Sequence, residues 1–231
     1  MYDPHRKQHW DGKVGIWYFT EQYAAKRRSK NRAKGDICTR NIDTVDRTVY
    51  KNYLLTKVFP AIKEKWPRKD RGQVIFVQQD NAKPHVPPSE PDIVAAGTEG
   101  GWNIRIWCQA PNSPDLNCLD LGVFASMQSL QHRLPRKGIE ALIASVEEAY
   151  RDMKTDTVDN IFLSLQACML EILRQKGGNL YKTPHLGKAK LRRAKLLPVS
   201  LSCSRDLYEA AIVLLRAASR GSALLFDSSS I

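Results

Sequence analysis

Apolar residues recur along the chain with two periods, and each period predicts its own kind of element. Lys13-Val14-Gly15-Ile16-Trp17-Tyr18-Phe19 has the β-branched and aromatic bias of a strand. From Asp43, a predicted N-cap, Val45, Val49, Tyr53, Leu54, Val58 and Ile62 follow at helical spacing towards Trp66-Pro67, and Pro60 is expected to kink this segment or end one helix. The run Val74-Ile75-Phe76-Val77-Gln78-Gln79 predicts a buried strand that closes on Asp80. Pro84, Pro87, Pro88 and Pro91 then predict an extended passage, and Trp102-Asn103-Ile104-Arg105-Ile106-Trp107-Cys108 predicts a second strand after Gly100-Gly101.

The second half is helical by the same reasoning. Ile139, Leu142, Ile143, Val146, Ala149, Tyr150 and Met153 mark one face, and Ile161, Phe162, Leu165, Cys168, Met169, Ile172 and Leu173 mark another, stopped by Gly177-Gly178. A last short helix is expected around Leu207, Ala210, Ala211, Leu214 and Leu215, with Ser228-Ser229-Ser230 frayed. Trp17, Trp102 and Trp107, at strand spacing, read as core before they read as base-stacking surface.

Composition narrows the partners. A chain of 231 residues with 42% hydrophobic content can bury one core, so one domain with arms is expected. The formal charge of +12 favours a polyanion, because basic surface gains by releasing counterions from phosphate. Lys26, Arg27, Arg28, Lys30, Arg32 and Lys34 stand together without an acid, in a predicted solvated loop that reads equally as phosphate contact, nuclear localisation signal or solubilising segment. Cys38, Cys108, Cys118, Cys168 and Cys203 lack zinc-type spacing and read as reduced thiols. No membrane span and no signal peptide is expected, which leaves cytoplasm or nucleus.

Two acids carry the candidate chemistry. Asp80 is placed at the carboxyl edge of a buried strand, where open α/β sheets form their ligand crevices, and Asp120 follows after 39 intervening residues. Two carboxylates brought together repel unless a hard divalent cation holds both ionised. Asp115 competes with Asp120. On one helix, five residues apart, they would diverge by about 140° at about 100° per residue, and Asp115 after Ser113-Pro114 suits an N-cap.

Gln78-Gln79-Asp80-Asn81-Ala82-Lys83-Pro84-His85 and Pro111-Asn112-Ser113-Pro114-Asp115-Leu116-Asn117, followed by Leu119-Asp120 and Phe124-Ala125-Ser126-Met127, closely resemble the second and third acidic motifs of mariner-type transposases. The 39-residue separation matches the plant and oomycete-like branch of that family. The similarity runs from Asp11-Gly12-Lys13 through Tyr181-Lys182-Thr183-Pro184-His185 to about Pro198. The resemblance implies an α/β, ribonuclease-H-like core, a mixed sheet flanked by helices, over residues 1–198, with residues 199–231 as a carboxyl-terminal helical tail. It further implies Asp80 and Asp120 as catalytic metal ligands, Mg²⁺ or Mn²⁺ as cofactor, DNA as partner, a nuclear location, and allows a homodimer. Asn81, His85 and Asn117 are supporting residues that read first as loop and helix-start stabilisers.

A two-metal site of this type needs three carboxylates. In the family the first lies in an Asp-Glu-Lys-Trp-like motif on an earlier strand, and no such motif occurs here. The chain therefore reads as the carboxyl-terminal part of a transposase catalytic domain, lacking the first strands and inactive as it stands. The alternative is a basic, non-catalytic nucleic-acid-binding protein derived from such an enzyme.

Overall fold

A computed structural model describes the backbone of residues 2–30, 32–131 and 138–227, and side-chain surroundings within 3–218 of that range. The fold is mixed α/β, with three two-stranded ladders among the described residues. The chain divides into two compact units: Met1–Asn112 with Ala125–Thr155, and Ser113–Phe124 with Asp156–Ile231.

The first unit begins with a small antiparallel ladder of β1 (Tyr2–Asp3) and β2 (Gln8–His9). Buried Asp3 holds its turn, accepting from the backbone N–H groups of His5 at 3.0 Å and Arg6 at 3.3 Å. The Arg6 guanidinium pairs with the same carboxylate at 3.2 Å and donates to the carbonyls of Glu64 and Lys65.

The strand predicted over 13–19 is not formed; β3 (Thr20–Ala24) starts just after it and pairs antiparallel with β4 (Ile37–Asn41). The aromatic and branched residues of 13–19 serve packing instead of pairing. Val14 joins the core, the Tyr53 hydroxyl donates to the Tyr18 carbonyl at 2.8 Å, and the Phe19 ring lies 4.7 Å from that of Tyr53.

Helix α1 (Arg47–Tyr53) is capped by Asp46, whose side chain accepts from the Val49 N–H at 2.8 Å. The expected cap, Asp43, lies one turn too early. A π-helical turn, Leu54–Val58, joins α1 to α2 (Phe59–Lys65), with the Phe59 N–H bonded to the Leu54 carbonyl. The wide turn places Pro60 in the first turn of α2, where its missing N–H breaks no helical bond.

Strand β5 (Ile75–Gln79) pairs in parallel with β6 (Ile104–Cys108), Ile75 opposite Ile104 and Gln79 opposite Cys108. The crossover contains α3 (Pro91–Thr98), a helix where the prolines predict only extended chain. Pro91 opens that helix because its fixed φ suits a first helical position. A Cβ on Gly97 would fall 2.3 Å from the Ile104 carbonyl oxygen, so α3 approaches β6 more closely than any larger residue permits.

Leu54, Phe59, Ile62, Ile75, Val86, Ile93, Ile104 and Ile106 form the core between these helices and one face of the ladder. Each contributes about 1.5–3 kcal/mol relative to exposure in water. The opposite face of the ladder is open: Phe76 and Trp107 are 57% and 58% exposed, with rings 5.4 Å apart edge to face. Trp107 is thus surface, not core, because strand alternation puts Ile104 and Ile106 inward and Arg105 and Trp107 outward.

After α4 (Phe124–Gln131) comes α5 (Ile139–Asp152). Its carboxyl end is capped by Lys13, whose ammonium donates to the carbonyls of Tyr150 (3.2 Å), Arg151 (3.0 Å) and Met153 (3.3 Å), a cation at the negative end of a helix. Lys13 also pairs with Asp11 at 3.1 Å.

The second unit is built on α6 (Thr155–Arg174), which buries Ile161, Leu163, Leu165, Ala167 and Cys168. Its end is fixed by Lys176 in the left-handed region (φ 53°), followed by the Gly177 N–H bonded to the Ile172 carbonyl at 2.8 Å. Helix α7 (Lys188–Arg193) follows, then α8 (Arg205–Asp227), whose 23 residues exceed the short helix expected there. The Ser228–Ser230 fray lies outside the described residues. No helix of the described residues is long and apolar enough to cross a membrane.

Candidate functional site

Asp80 stands immediately beyond the carboxyl end of β5, as its sequence context predicts. Its Oδ1 accepts from the Ala82 N–H at 2.8 Å and lies 2.9 Å from His85 Nδ1, which also lies 2.7 Å from the Asp80 carbonyl. The carboxylate closes a tight turn yet is 56% exposed. Asn81 donates to the Gln109 carbonyl at 2.9 Å, tying the loop to the end of β6. Arg47, at the start of α1, donates to the carbonyls of His85 at 3.1 Å and Lys83 at 3.4 Å. Asn81 and His85 therefore meet Asp80 as loop-stabilising residues.

These groups line an open cavity of about 240 Å³ that also touches Gln79 and Cys108. Gln79 is buried; its Nε2 donates to the Val86 carbonyl at 2.6 Å while its Oε1 has no partner among the described residues. The Tyr50 ring lies 4.4 Å from that of His85. Burial, then the charge of Asp80, then Cys108, push the Tyr50 hydroxyl up to about 12. Arg47 escapes a reading from sequence, since one basic residue after a cap has no distinguishing pattern.

The third-motif segment belongs to the second unit and departs from the single helix expected of it. Residues Pro114–Leu116 make one 3₁₀ turn, Asn117 is extended (φ −115°, ψ 113°), and a π-helical turn, Leu119–Val123, follows. Asp115 and Asp120 thus lie on separate elements, so the angular argument between them does not apply. Asp115 is no N-cap either: it accepts from the Tyr181 hydroxyl. Asn117 is the helix-start residue, its Oδ1 accepting from the Leu119 N–H at 3.0 Å. Asp120 is exposed. A Cβ on Gly122 would meet Ile161 Cγ1 at 2.9 Å, which seats the turn against α6. Asp80 thus belongs to the first unit and Asp120 to the second.

Among the described residues, no three His, Cys, Asp or Glu side chains converge on a common point. Asp80 offers the oxygen donors that a hard cation takes, and its Oδ2 has no partner among the described residues. The donor type suits Mg²⁺ or Mn²⁺, but the residues brought together fall short of a two-metal shell.

The basic block forms the tip of the β3–β4 hairpin, as the predicted loop requires. Lys26, Arg27, Arg28, Lys30, Arg32 and Lys34 are all exposed. The base is fixed by buried Ala25, whose N–H donates to the Asp36 carbonyl and whose carbonyl accepts from Gly35, both at 2.8 Å. Arg32 folds back onto the Tyr23 hydroxyl at 2.7 Å. The other five enter no ion pair among the described residues, so their charge faces solvent. All five cysteines are unpaired.

No protein-family model, curated protein or solved structure matches the chain.

Proposed function

We propose that the chain is a DNA-binding module from the catalytic region of a mariner-like transposase, working in the nucleus, and that by itself it binds DNA without cutting it. The observation that carries the reading is the position of Asp80. Its half-exposed carboxylate lies at the carboxyl end of a parallel strand, in one cavity with Arg47, Asn81 and His85, the edge where such sheets gather ligand groups. Asp120 is its partner acid in the motif, because Asp115 is engaged by Tyr181. The exposed block from Lys26 to Lys34 supplies sequence-independent attraction for phosphate. The metal chemistry of the resembled family needs three carboxylates, and the sequence has no motif like the family's first one, so binding and not cleavage is assigned to the chain.

A second reading, an enzyme completed by a carboxylate from another segment or chain, is favoured by the open Oδ2 of Asp80. One experiment separates the two. The purified chain is incubated with duplex DNA and Mg²⁺ or Mn²⁺, while affinity is titrated against salt. The binding-only reading expects a steep negative salt slope, flattened by replacing Lys26, Arg27, Arg28 and Lys30 with Ala, and intact DNA. Cleavage that disappears in Asp80→Ala and Asp120→Ala overturns it.

A further inference from the structure

The second unit carries a basic segment of its own. From Ile172 to Arg205 the sequence contains nine Lys and Arg residues and no acid. Four of the nine are engaged within the fold. Arg174 pairs with Glu171 at 3.0 Å and Arg205 with Glu209 at 2.7 Å. Lys188 donates to the Asn160 carbonyl at 2.9 Å and to Ser164 Oγ. Arg192 binds Asp156 Oδ1 at 2.8 Å and Asn160 Oδ1 at 3.0 Å.

Lys188 and Arg192 are four residues apart and so share one face of α7, and both are spent on docking that face to α6. Lys190 and Arg193 lie on the other side, exposed and neighbouring each other three residues apart, a spacing of about 5–6 Å. Lys195 follows, exposed and held in the left-handed region (φ 57°), where the Leu196 N–H bonds to the Leu191 carbonyl at 2.9 Å and closes the helix. None of the three forms an ion pair among the described residues. The docking of α7 thus sorts its cations: two hold the helix down and three are presented outward on a capped, fixed scaffold. Lys195 also lines a cavity of about 290 Å³ with Arg192, Leu197 and Pro198, in which Asp159 is the acid.

We infer that Lys190, Arg193 and Lys195 form a second DNA-backbone contact, separate in sequence and in compact unit from the hairpin block. Solvated lysines on one helix are common, but here fixed presentation is joined to a 34-residue stretch without an acid of its own, and these three cations stay outside the ion pairs that Glu171, Asp156 and Glu209 make with it. Duplex DNA is the partner that matches it, since each strand offers phosphates at about 3.4 Å rise and three adjoining cations can each displace condensed counterions. The inference rests on the DNA-binding reading proposed for the chain but not on catalysis.

The test uses the full chain and a fluorescent 20-base-pair duplex, with affinity followed by anisotropy over a range of KCl concentrations. Lys190→Gln/Arg193→Gln/Lys195→Gln is expected to lower the magnitude of the salt slope by about 2–3, close to 0.9 for each phosphate that is no longer neutralised. Asp159→Asn, which removes the acid that lines one cavity with Lys195, is expected to tighten binding. Should the triple variant keep the full slope while the hairpin variant has a reduced one, DNA binding stands and the second contact is overturned. A wild-type chain without salt-sensitive DNA binding overturns both readings. Equal affinity for poly-glutamate at matched salt, abolished equally in the triple variant, overturns the assignment to DNA in favour of a general polyanion surface.

Discussion

The hydroxyl of Tyr181 donates its hydrogen bond to the carboxylate of Asp115, 66 positions earlier in the chain. Burial first, and then this bond, push the Tyr181 hydroxyl far above its usual range, so it stays a neutral donor. The same burial, with Asp115 nearby, raises the Cys168 thiol. Asp115 is therefore the acid that holds the third-motif segment in place, and exposed Asp120 is the one left available for a ligand.

Tyr181→Phe removes the donor and leaves a half-buried carboxylate unsatisfied. The expected loss is about 1.5–3 kcal/mol, read as a lower urea midpoint, because a bond to a charged group is broken. Asp120→Asn, at an exposed position, is expected to stay within about 0.5 kcal/mol of the parent. Equal losses for Tyr181→Phe and Asp120→Asn would reverse the roles given to the two acids.

Two glycines mark close approaches of different kinds, and Ala at each measures the difference. At Gly97 the new methyl meets the backbone carbonyl of Ile104, which lies in the paired strand β6 and cannot retreat. At Gly122 it meets the side chain of Ile161. Gly97→Ala is expected to cost about 3 kcal/mol and Gly122→Ala about 1–2 kcal/mol. Ile161→Ala should recover part of the Gly122→Ala loss and leave the Gly97→Ala loss unchanged, in two denaturation cycles that pair it with each glycine variant.

The pH dependence of Tyr50 reports on Asp80 without any substrate. A tyrosine raised from 10.0 to about 12 in the folded state stabilises the fold fully below the unfolded value, and this contribution is lost as pH climbs from 10.0 to about 12. Burial is the larger cause and Asp80 the second, so Asp80→Asn is expected to move the Tyr50 titration down towards its ordinary value without bringing it there. Phenolate absorbance, with Tyr50→Phe to identify the late component, reads the shift. A Tyr50 titration indifferent to Asp80→Asn would place the carboxylate away from the ring.

What can be read from sequence follows how many partners an element needs. Strand β6 and helices α5 and α6 are found where their apolar periods lie, because one buried face sets each period, whereas β5 lies where its apolar run predicts a buried strand but leaves its Phe76 face open. Residues 13–19 have strand composition but spend it against α1, and composition does not say whether a partner strand is present. Helix α3 is hidden by prolines that both break and begin helices. At the candidate site, the turn role of Asn81 and His85 around Asp80 follows from local bonding. The role of Asp115 does not, because its partner Tyr181 is distant in sequence, and that of Arg47 does not because its acceptors are backbone carbonyls with no residue-type signature.

The order in which the chain is made adds a temporal consequence. Ser113–Phe124 belongs to the second unit, although Ala125–Thr155, translated next, belongs to the first. Asp115 must wait for Tyr181, 66 residues later, a gap of roughly 3–13 s on the ribosome at about 5–20 residues per second. During that interval the first unit receives α5 and its Lys13 cap, and Ile161 follows, while the Asp115 carboxylate still lacks Tyr181. The motif carrying the second acid thus waits for its Tyr181 hydrogen bond until well after the residues of the Asp80 turn have been made.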